Sequence, residues 1–165
     1  MGDTPKEKSL ALLRSALENP KAEFRKGQWE IIEQLVNEKA HLLVVQRTGW
    51  GKSFVYFVAT KLLRDQGCGP TLLITPLLAL MRNQIAAAER FGLVARTINS
   101  SNHEEWVEVY SDLEQNKIMD GPVLLVDDMV DSRWTFTILA AMLRSAGTGP
   151  VYPCALTDTQ SKDVL

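Results

Sequence analysis

The 165-residue chain has few of the residues that build metal centres and disulfides. It contains only two cysteines and two histidines, and Cys68 and Cys154 stand too far apart to share a short metal-ligand motif. We therefore interpret both cysteines as small hydrophobic residues and not as a disulfide or a redox site. His41 and His103 have no partner pattern that indicates a metal, so both are expected at the surface.

Long hydrophobic runs are also missing. No apolar run approaches the roughly 18 residues that a membrane-spanning helix needs, and the opening MGDTPKEK lacks the apolar core of a secretory signal. We therefore expect a cytoplasmic protein with no membrane partner. Hydrophobic residues nevertheless make up 45% of the chain, which is enough to bury a sizeable core.

The net charge of −2 conceals two unlike parts. Residues 1–98 hold 14 Lys and Arg against 9 Asp and Glu, whereas residues 99–165 hold 4 against 11. The basic part suits a phosphate-bearing partner, and the acidic part would repel one unless a metal intervened. The alternative is that the two parts merely carry different solvated charges.

Strand and helix patterns alternate along the chain. The predicted strands are residues 42–45, 71–75, 94–98, 123–126 and 151–156, and the predicted helices begin near residues 5, 27, 52, 77, 102 and 135. This alternation predicts an α/β fold, a three-layer α/β/α sandwich with a mainly parallel sheet. Because residues 42–45 are continuously hydrophobic, we expect them to form a central strand.

Two helix starts carry capping signals. Thr4 and Glu7 have the spacing of a capping box. A second box is predicted where Ser101 or Asn102 precedes Glu104 or Glu105.

The stretch QRTGWGKS, residues 46–53, lies between the first predicted strand and a predicted helix. Glycines in such a loop let backbone N–H groups approach phosphates at a helix N-terminus. Lys52 would reach the β- and γ-phosphates, and the Ser53 hydroxyl would coordinate Mg²⁺. Gln46 stands where the full pattern has a glycine. The predicted ATP-binding residues of the loop are Thr48, Gly49, Trp50, Gly51, Lys52 and Ser53.

Four tryptophans are spread over separate elements, and most are expected to be partly in the core. Trp50 is the one that we predict to project from the loop, where it would be a candidate for stacking on a base.

Three motifs in order, FRKGQWEII, QRTGWGKS and TLLITPLLALMRNQI, resemble the first motifs of RecQ-like superfamily 2 DNA helicases. The resemblance covers about residues 10–118 and implies a P-loop, RecA-like first lobe that binds ATP with Mg²⁺. It also implies that Gln28 recognises adenine, with help from Arg25 and with Phe24 packed nearby. Thr75 and Arg82 would lie near single-stranded DNA. Independently, a glutamine side chain has the donor and acceptor that an adenine edge requires.

From about residue 119, GPVLLVDDMVDSRWTFTILAAMLRSAG resembles the diphosphate-sugar motif of type I phosphoribosyltransferases. Some bacterial RecQ-like helicases carry such a domain at the C-terminus. We therefore expect residues 1–118 to be a truncated helicase lobe and residues 119–165 to be a joined segment, with the middle of the protein missing. Phosphoribosyl transfer is not expected, because Arg133 and Trp134 replace the usual loop glycine. A ribose-phosphate site would use Asp127, Asp128, Asp131, Ser132 and Thr135.

The same acids permit another interpretation, because VLLVDD has the pattern of a buried strand that ends in carboxylates. Asp127 would then hold Mg²⁺ opposite Ser53, and Asp128 would be a surrogate general base. Aspartate is one methylene shorter than the glutamate that helicases use, which predicts poor hydrolysis.

We predict an ATP–Mg²⁺-binding lobe that binds single-stranded DNA weakly at most and cannot unwind DNA alone. A ribose-phosphate-binding module and a non-enzymatic domain with a vestigial loop are the alternatives, and self-association is left open.

Overall fold

A computed structural model of the chain describes residues 4–47, 49–75, 78–115, 123–127 and 134–156. For residues 78, 112–115, 127 and 134–136 it describes the backbone only.

The described residues form six α-helices and four β-strands. The α-helices are α1 (Pro5–Ala16), α2 (Gln28–Glu33), α3 (Lys52–Asp65), α4 (Leu78–Arg90), α5 (Trp106–Gln115) and α6 (Trp134–Ser145). The strands are β1 (Leu42–Leu43), β2 (Thr71–Ile74), β3 (Val123–Asp127) and β4 (Val151–Ala155). None of these described helices is long and apolar enough to cross a membrane.

The four strands form one parallel sheet in the order β1-β4-β3-β2. Strand β4 therefore lies between β1, which leads into the glycine-rich loop, and β3, which carries the sequence VLLVD. The predicted α/β class with a parallel sheet is confirmed.

The main core lies on one face of this sheet. Leu124 and Val126 of β3 pack there with buried side chains of α3, such as Val55 and Val58. Successive strand residues point to opposite faces, so Val123 and Leu125 point away from this core, and they too are buried. Helix α6 contacts β4. Both faces of the sheet are therefore covered around β3.

The capping box predicted at the start of α1 is confirmed. The Glu7 N–H donates to Thr4 Oγ1 over 3.3 Å, and the Thr4 N–H donates to the Glu7 carboxylate over 2.7 Å. The Thr4 N–H and the Thr4 hydroxyl both donate to the Glu7 carboxylate, and these two hydrogen bonds lower the pKa of Glu7 from its usual range. Asn102 precedes a helix as predicted, the 3-10 helix His103–Glu105, but its side chain makes no cap hydrogen bond there, so the predicted second box is not formed at Asn102. Its carboxamide oxygen accepts from the Asn99 N–H and from the Trp106 indole instead.

Three other predictions about the elements differ from the structure. Among the described strands, β1 lies at the edge of the sheet and not at its centre, and only Leu42 and Leu43 pair with β4. Residues 94–98 form no strand, although their exposure still alternates, because no described strand pairs with them. The second helix does not remain α-helical, since α2 passes into a π-helix at Gln34–Glu38 that ends at Lys39 with φ 52°.

Candidate nucleotide-binding site

The glycine-rich loop connects β1 to the first turn of α3. Gly49 has φ 80° and Gly51 has φ 92°, and such positive values favour glycine because they cost residues with a Cβ atom free energy. The Trp50 N–H donates to the Arg47 carbonyl over 3.2 Å, which closes a tight turn. Lys52 and Ser53 then begin α3. A helix N-terminus preceded by such a loop is a favourable environment for an anion.

Gln28 connects the loop to the upstream motif. Its side chain is 3% exposed, and its amide Nε2 donates to the Trp50 carbonyl over 2.9 Å and to the Gly51 carbonyl over 3.4 Å. Its Oε1 accepts from the Arg25 N–H over 2.8 Å. A Cβ atom at Gly51 would lie 2.8 Å from Nε2 of Gln28. Glycine at position 51 is therefore required by both the backbone angle and this close approach.

Two cations also donate to carbonyl oxygens of the loop. Lys52 Nζ donates to the Gln46 carbonyl over 2.6 Å, and the Arg25 guanidinium donates to the Gly49 carbonyl. Three side chains that the sequence assigns to ATP, those of Arg25, Gln28 and Lys52, thus bind the loop itself in this conformation. Their predicted roles toward ATP stay predictions.

Trp50 does not project from the loop as expected. Its indole is 7% exposed and belongs to the main core, and its ring lies 3.8 Å from the position of a Cβ atom on Gly27. Periodicity could not find this core residue, because it lies in a loop between two glycines. Phe24 is half-buried and packs on Trp29 with a centroid distance of 5.9 Å.

The carboxyl end of β3 and the glycine-rich loop lie along the same border of the sheet. This border is formed by the carboxyl ends of the parallel strands and is its carboxyl edge. Leu43 of β1 and Asp127 of β3 both register with Ala155 of β4. Two strand spacings separate their backbones, about 9.6 Å. The half-buried Ser53 follows the loop at this edge.

Several predicted site residues fall partly or wholly outside the described residues. Thr48, Asp128, Asp131 and Ser132 lie outside entirely. Asp127 is described by its backbone at the end of β3, and Thr135 by its backbone in the first turn of α6.

The two residues predicted to lie near DNA differ in exposure. Arg82 is exposed on α4, whereas Thr75 is 7% exposed, and Thr75 Oγ1 has no hydrogen-bond partner in the described structure. Direct contact between the Thr75 hydroxyl and a nucleic acid would require this end of β2 to open.

The cysteines and histidines form no metal site in the described part of the chain, which contains no group of three His, Cys, Asp or Glu residues suited to a metal ion. Cys68 and Cys154 are unpaired and buried, and burial raises the pKa of the Cys154 thiol to about 12. His41 is exposed, and His103 is exposed and stacks on Trp106 with a centroid distance of 4.3 Å.

A glycine-rich loop between a strand and a helix, at the carboxyl edge of a parallel sheet, is characteristic of P-loop α/β domains. Residues 25–129, more than half of the chain, match the DEAD/DEAH box helicase family. The chain therefore belongs to the DEAD/DEAH box helicase family. The match continues beyond residue 118 and includes all of β3.

Several curated proteins are similar to part of this chain. It is 38% identical over 103 residues to the ATP-dependent DNA helicase RecQ of Haemophilus influenzae, an alignment that covers 62% of this chain and 15% of that protein. It is 33% identical over 98 residues to the protein of the same name from Bacillus subtilis, covering 59% of this chain and 15% of the relative. The chain thus spans about one-seventh of the length of these relatives.

Among solved structures, the crystal structure of the DUF1998 helicase MrfA has a similar fold. The TM-score is 0.66 at 16% sequence identity, and the alignment covers 95% of this chain and 30% of that one. At this identity the likeness concerns the fold, and it agrees with the RecA-like α/β architecture predicted for the chain.

Proposed function

We propose that the chain is the ATP–Mg²⁺-binding lobe of a RecQ-like ATP-dependent DNA helicase. The observation that carries this proposal is the direct connection between the upstream motif and the loop, in which Gln28 donates to the carbonyls of Trp50 and Gly51. The residue proposed to recognise adenine is thereby in contact with the loop proposed to bind the phosphates. The similarity to proteins named ATP-dependent DNA helicase supports the same conclusion.

ATP binding would proceed by exchange of hydrogen bonds. Lys52 would leave the Gln46 carbonyl and turn to the β- and γ-phosphates, while Gln28 would exchange its contacts with the loop for the adenine edge. Each neutral hydrogen bond of Gln28 that is lost contributes about 1 kcal/mol net, and the charge-assisted bond of Lys52 about 1.5–3 kcal/mol. The charge-assisted bonds to phosphate are about twice as strong as neutral ones. The exchange is therefore favourable chiefly on the phosphate side.

The residues at the carboxyl edge fit Mg²⁺, which prefers oxygen ligands. Ser53 and Asp127 would hold the ion, which would offset charge on the β- and γ-phosphates when bound. Support comes from the shared edge, from the register of Asp127 with Ala155, and from the family match through residue 129. Asp128 would be the surrogate general base, and its short side chain would make hydrolysis weak.

We also propose the division of the chain into residues 1–118 and 119–165, with the second segment derived from a phosphoribosyltransferase-like domain. Because β3 and β4 of this segment pair with β1 and β2 in one sheet, the segment would complete the helicase fold.

Unwinding by two lobes that close on ATP is not expected from this single lobe. Binding of single-stranded DNA would be weak and sensitive to salt, with Arg82 as an exposed phosphate contact.

A ribose-phosphate site remains a second candidate because a strand is again followed by a helix. Helix α6 begins at Trp134 after β3, with Thr135 in its first turn, and a helix N-terminus at this edge favours a phosphate. The ligand would be phosphoribosyl pyrophosphate or a related sugar phosphate.

Calorimetric titration with ATP in the presence of Mg²⁺ tests the main proposal. We expect saturable binding that the Lys52→Ala substitution weakens at least tenfold, because about 1.5–3 kcal/mol of charge-assisted hydrogen bonding is lost. The control is Lys61→Ala on the same helix, whose removed ammonium pairs with Asp65 at the surface. It should bind ATP within about twofold of the parent protein.

Titration with phosphoribosyl pyrophosphate distinguishes the two candidates. ATP binding that depends on Lys52, with weak or absent binding of the sugar phosphate, supports the helicase lobe. If phosphoribosyl pyrophosphate binds and ATP does not, the ribose-phosphate site is favoured. If Lys52→Ala leaves ATP affinity unchanged, the loop does not bind ATP through Lys52, and the proposal fails.

A further inference from the structure

The glycine-rich loop contains a second basic residue, Arg47, five positions before Lys52. The Arg47 carbonyl accepts from the Trp50 N–H over 3.2 Å, so the tight turn fixes the backbone from which this side chain extends. The side chain is exposed. No described residue forms a hydrogen bond or an ion pair with its guanidinium. The loop thus presents an arginine to solvent from a defined position.

The other two cations at the loop are engaged in this conformation. Lys52 is half-buried, and its Nζ donates to the Gln46 carbonyl over 2.6 Å. The Arg25 guanidinium reaches the loop from upstream and donates to the Gly49 carbonyl. Among the described residues of QRTGWGKS, Arg47 is therefore the one exposed side chain that carries a charge.

We propose that Arg47 captures the phosphate chain of an incoming nucleotide before Lys52 and Gln28 exchange their hydrogen bonds. This inference rests on the proposed function, because it concerns the first step of binding at the same site. A guanidinium is permanently charged, and its N–H donors match the geometry of phosphate oxygens. Arg47 can attract the anion without first giving up a hydrogen bond to the described protein, whereas Lys52 must leave the Gln46 carbonyl. Arg47 therefore acts on the rate of association.

The charges along the sequence favour capture of an anion at the loop. No acidic residue occurs between Glu38 and Asp65, and this stretch contains five Lys and Arg residues. Positive charge around a site raises the local concentration of an anionic ligand and the rate at which it associates. Salt screens this attraction over about 10 Å at 0.1 M. We therefore expect nucleotide association to slow as the ionic strength rises.

Stopped-flow measurement on the full chain tests this inference, with ATP that carries a fluorescent methylanthraniloyl group, with Mg²⁺ and with about 0.1 M salt. Arg47→Gln should slow association about threefold. It should change the dissociation rate by less than about twofold, because Lys52 holds the phosphates once the exchange is complete. Lys52→Ala should show the opposite pattern, with dissociation accelerated more than association is slowed.

The matched control is Arg64→Gln, which changes the net charge by the same amount. Arg64 is exposed in the last turn of α3, and the rise of the helix places it about 18 Å from Lys52. This distance exceeds the screening length at 0.1 M salt, so the association rate should stay within about 1.5-fold of the parent protein. At about 0.5 M salt the rates of Arg47→Gln and the parent protein should converge.

Equal slowing by the two glutamine variants overturns the proposal, because net charge alone would then account for the effect. The proposal also fails if Arg47→Gln associates at the rate of the parent protein, or if it changes only the dissociation rate. In these three outcomes the parent protein still binds ATP. Failure of the proposed function is a different result, in which the parent protein itself shows no saturable ATP binding, and capture by Arg47 is then refuted with it.

Discussion

Replacing Gln28 by alanine is the strongest test of how the site is built. The substitution removes two short hydrogen bonds, to the Trp50 carbonyl at 2.9 Å and from the Arg25 N–H at 2.8 Å, and a longer one to Gly51. A net bond contributes about 1 kcal/mol, and a buried group left without a partner costs about 1–3 kcal/mol. We expect Gln28→Ala to lower the free energy of unfolding by about 2–4 kcal/mol.

Urea denaturation without nucleotide measures this loss. With a slope of about 2 kcal/mol per M, the midpoint should fall by about 1–2 M. The control is Gln34→Ala, which truncates an exposed glutamine one helical turn and a half further on and should change stability by less than about 0.5 kcal/mol. Equal effects of the two substitutions would refute the reasoning, because Gln28 would then contribute nothing through its contacts with the loop.

Three further predictions concern single residues. Gly51→Ala should destabilise the protein by more than 1 kcal/mol in thermal unfolding, because φ is 92° and the new Cβ atom meets Gln28; Gly67→Ala, with φ 79° and open space around it, should cost only the backbone strain. Thr4→Ala should lose about 1 kcal/mol through the α1 cap, and an unchanged urea midpoint would contradict this. Since burial raises the Cys154 pKa from 9.0 to about 12, the folded thiol keeps its proton where the unfolded one loses it. Stability should therefore fall as pH rises above about 9, and iodoacetamide should label Cys154 at pH 9 only after denaturation, as mass spectrometry would detect.

Local sequence signals predicted much of the fold. Helix α3 runs from Lys52 to Asp65 as expected, because apolar residues line most of its sides and Gly67 follows it. Helix α1 begins where Thr4, Pro5 and Glu7 predict a cap. In both cases the determinants lie within one or two turns of chain, so no knowledge of distant contacts is needed.

The misplaced features depend on distant residues. Continuous hydrophobicity predicted a central position for β1. The position of a strand depends on which other strands are present, however, and among the described strands β1 has a neighbour, β4, on one side only. The Trp50 indole is buried among residues from several elements, and no local spacing marks it. The contacts of Gln28 with the loop likewise join two motifs that are separate in sequence. The residues predicted to bind ATP could be named from the sequence, but the contacts that these residues make with the loop could not.

The pairing of β1 with β4 has a consequence for the order of folding. Leu42 and Leu43 lie early in the chain, yet their only strand partners in the described sheet, Cys154 and Ala155, lie far along it. Closing such a long segment costs chain entropy before any contact compensates for it, so pairings of this kind form slowly and late. Helices α1 and α3 can form as soon as they are synthesised, but β1 must wait for β4. The strand that leads into the loop is thus among the last elements to acquire its native neighbour.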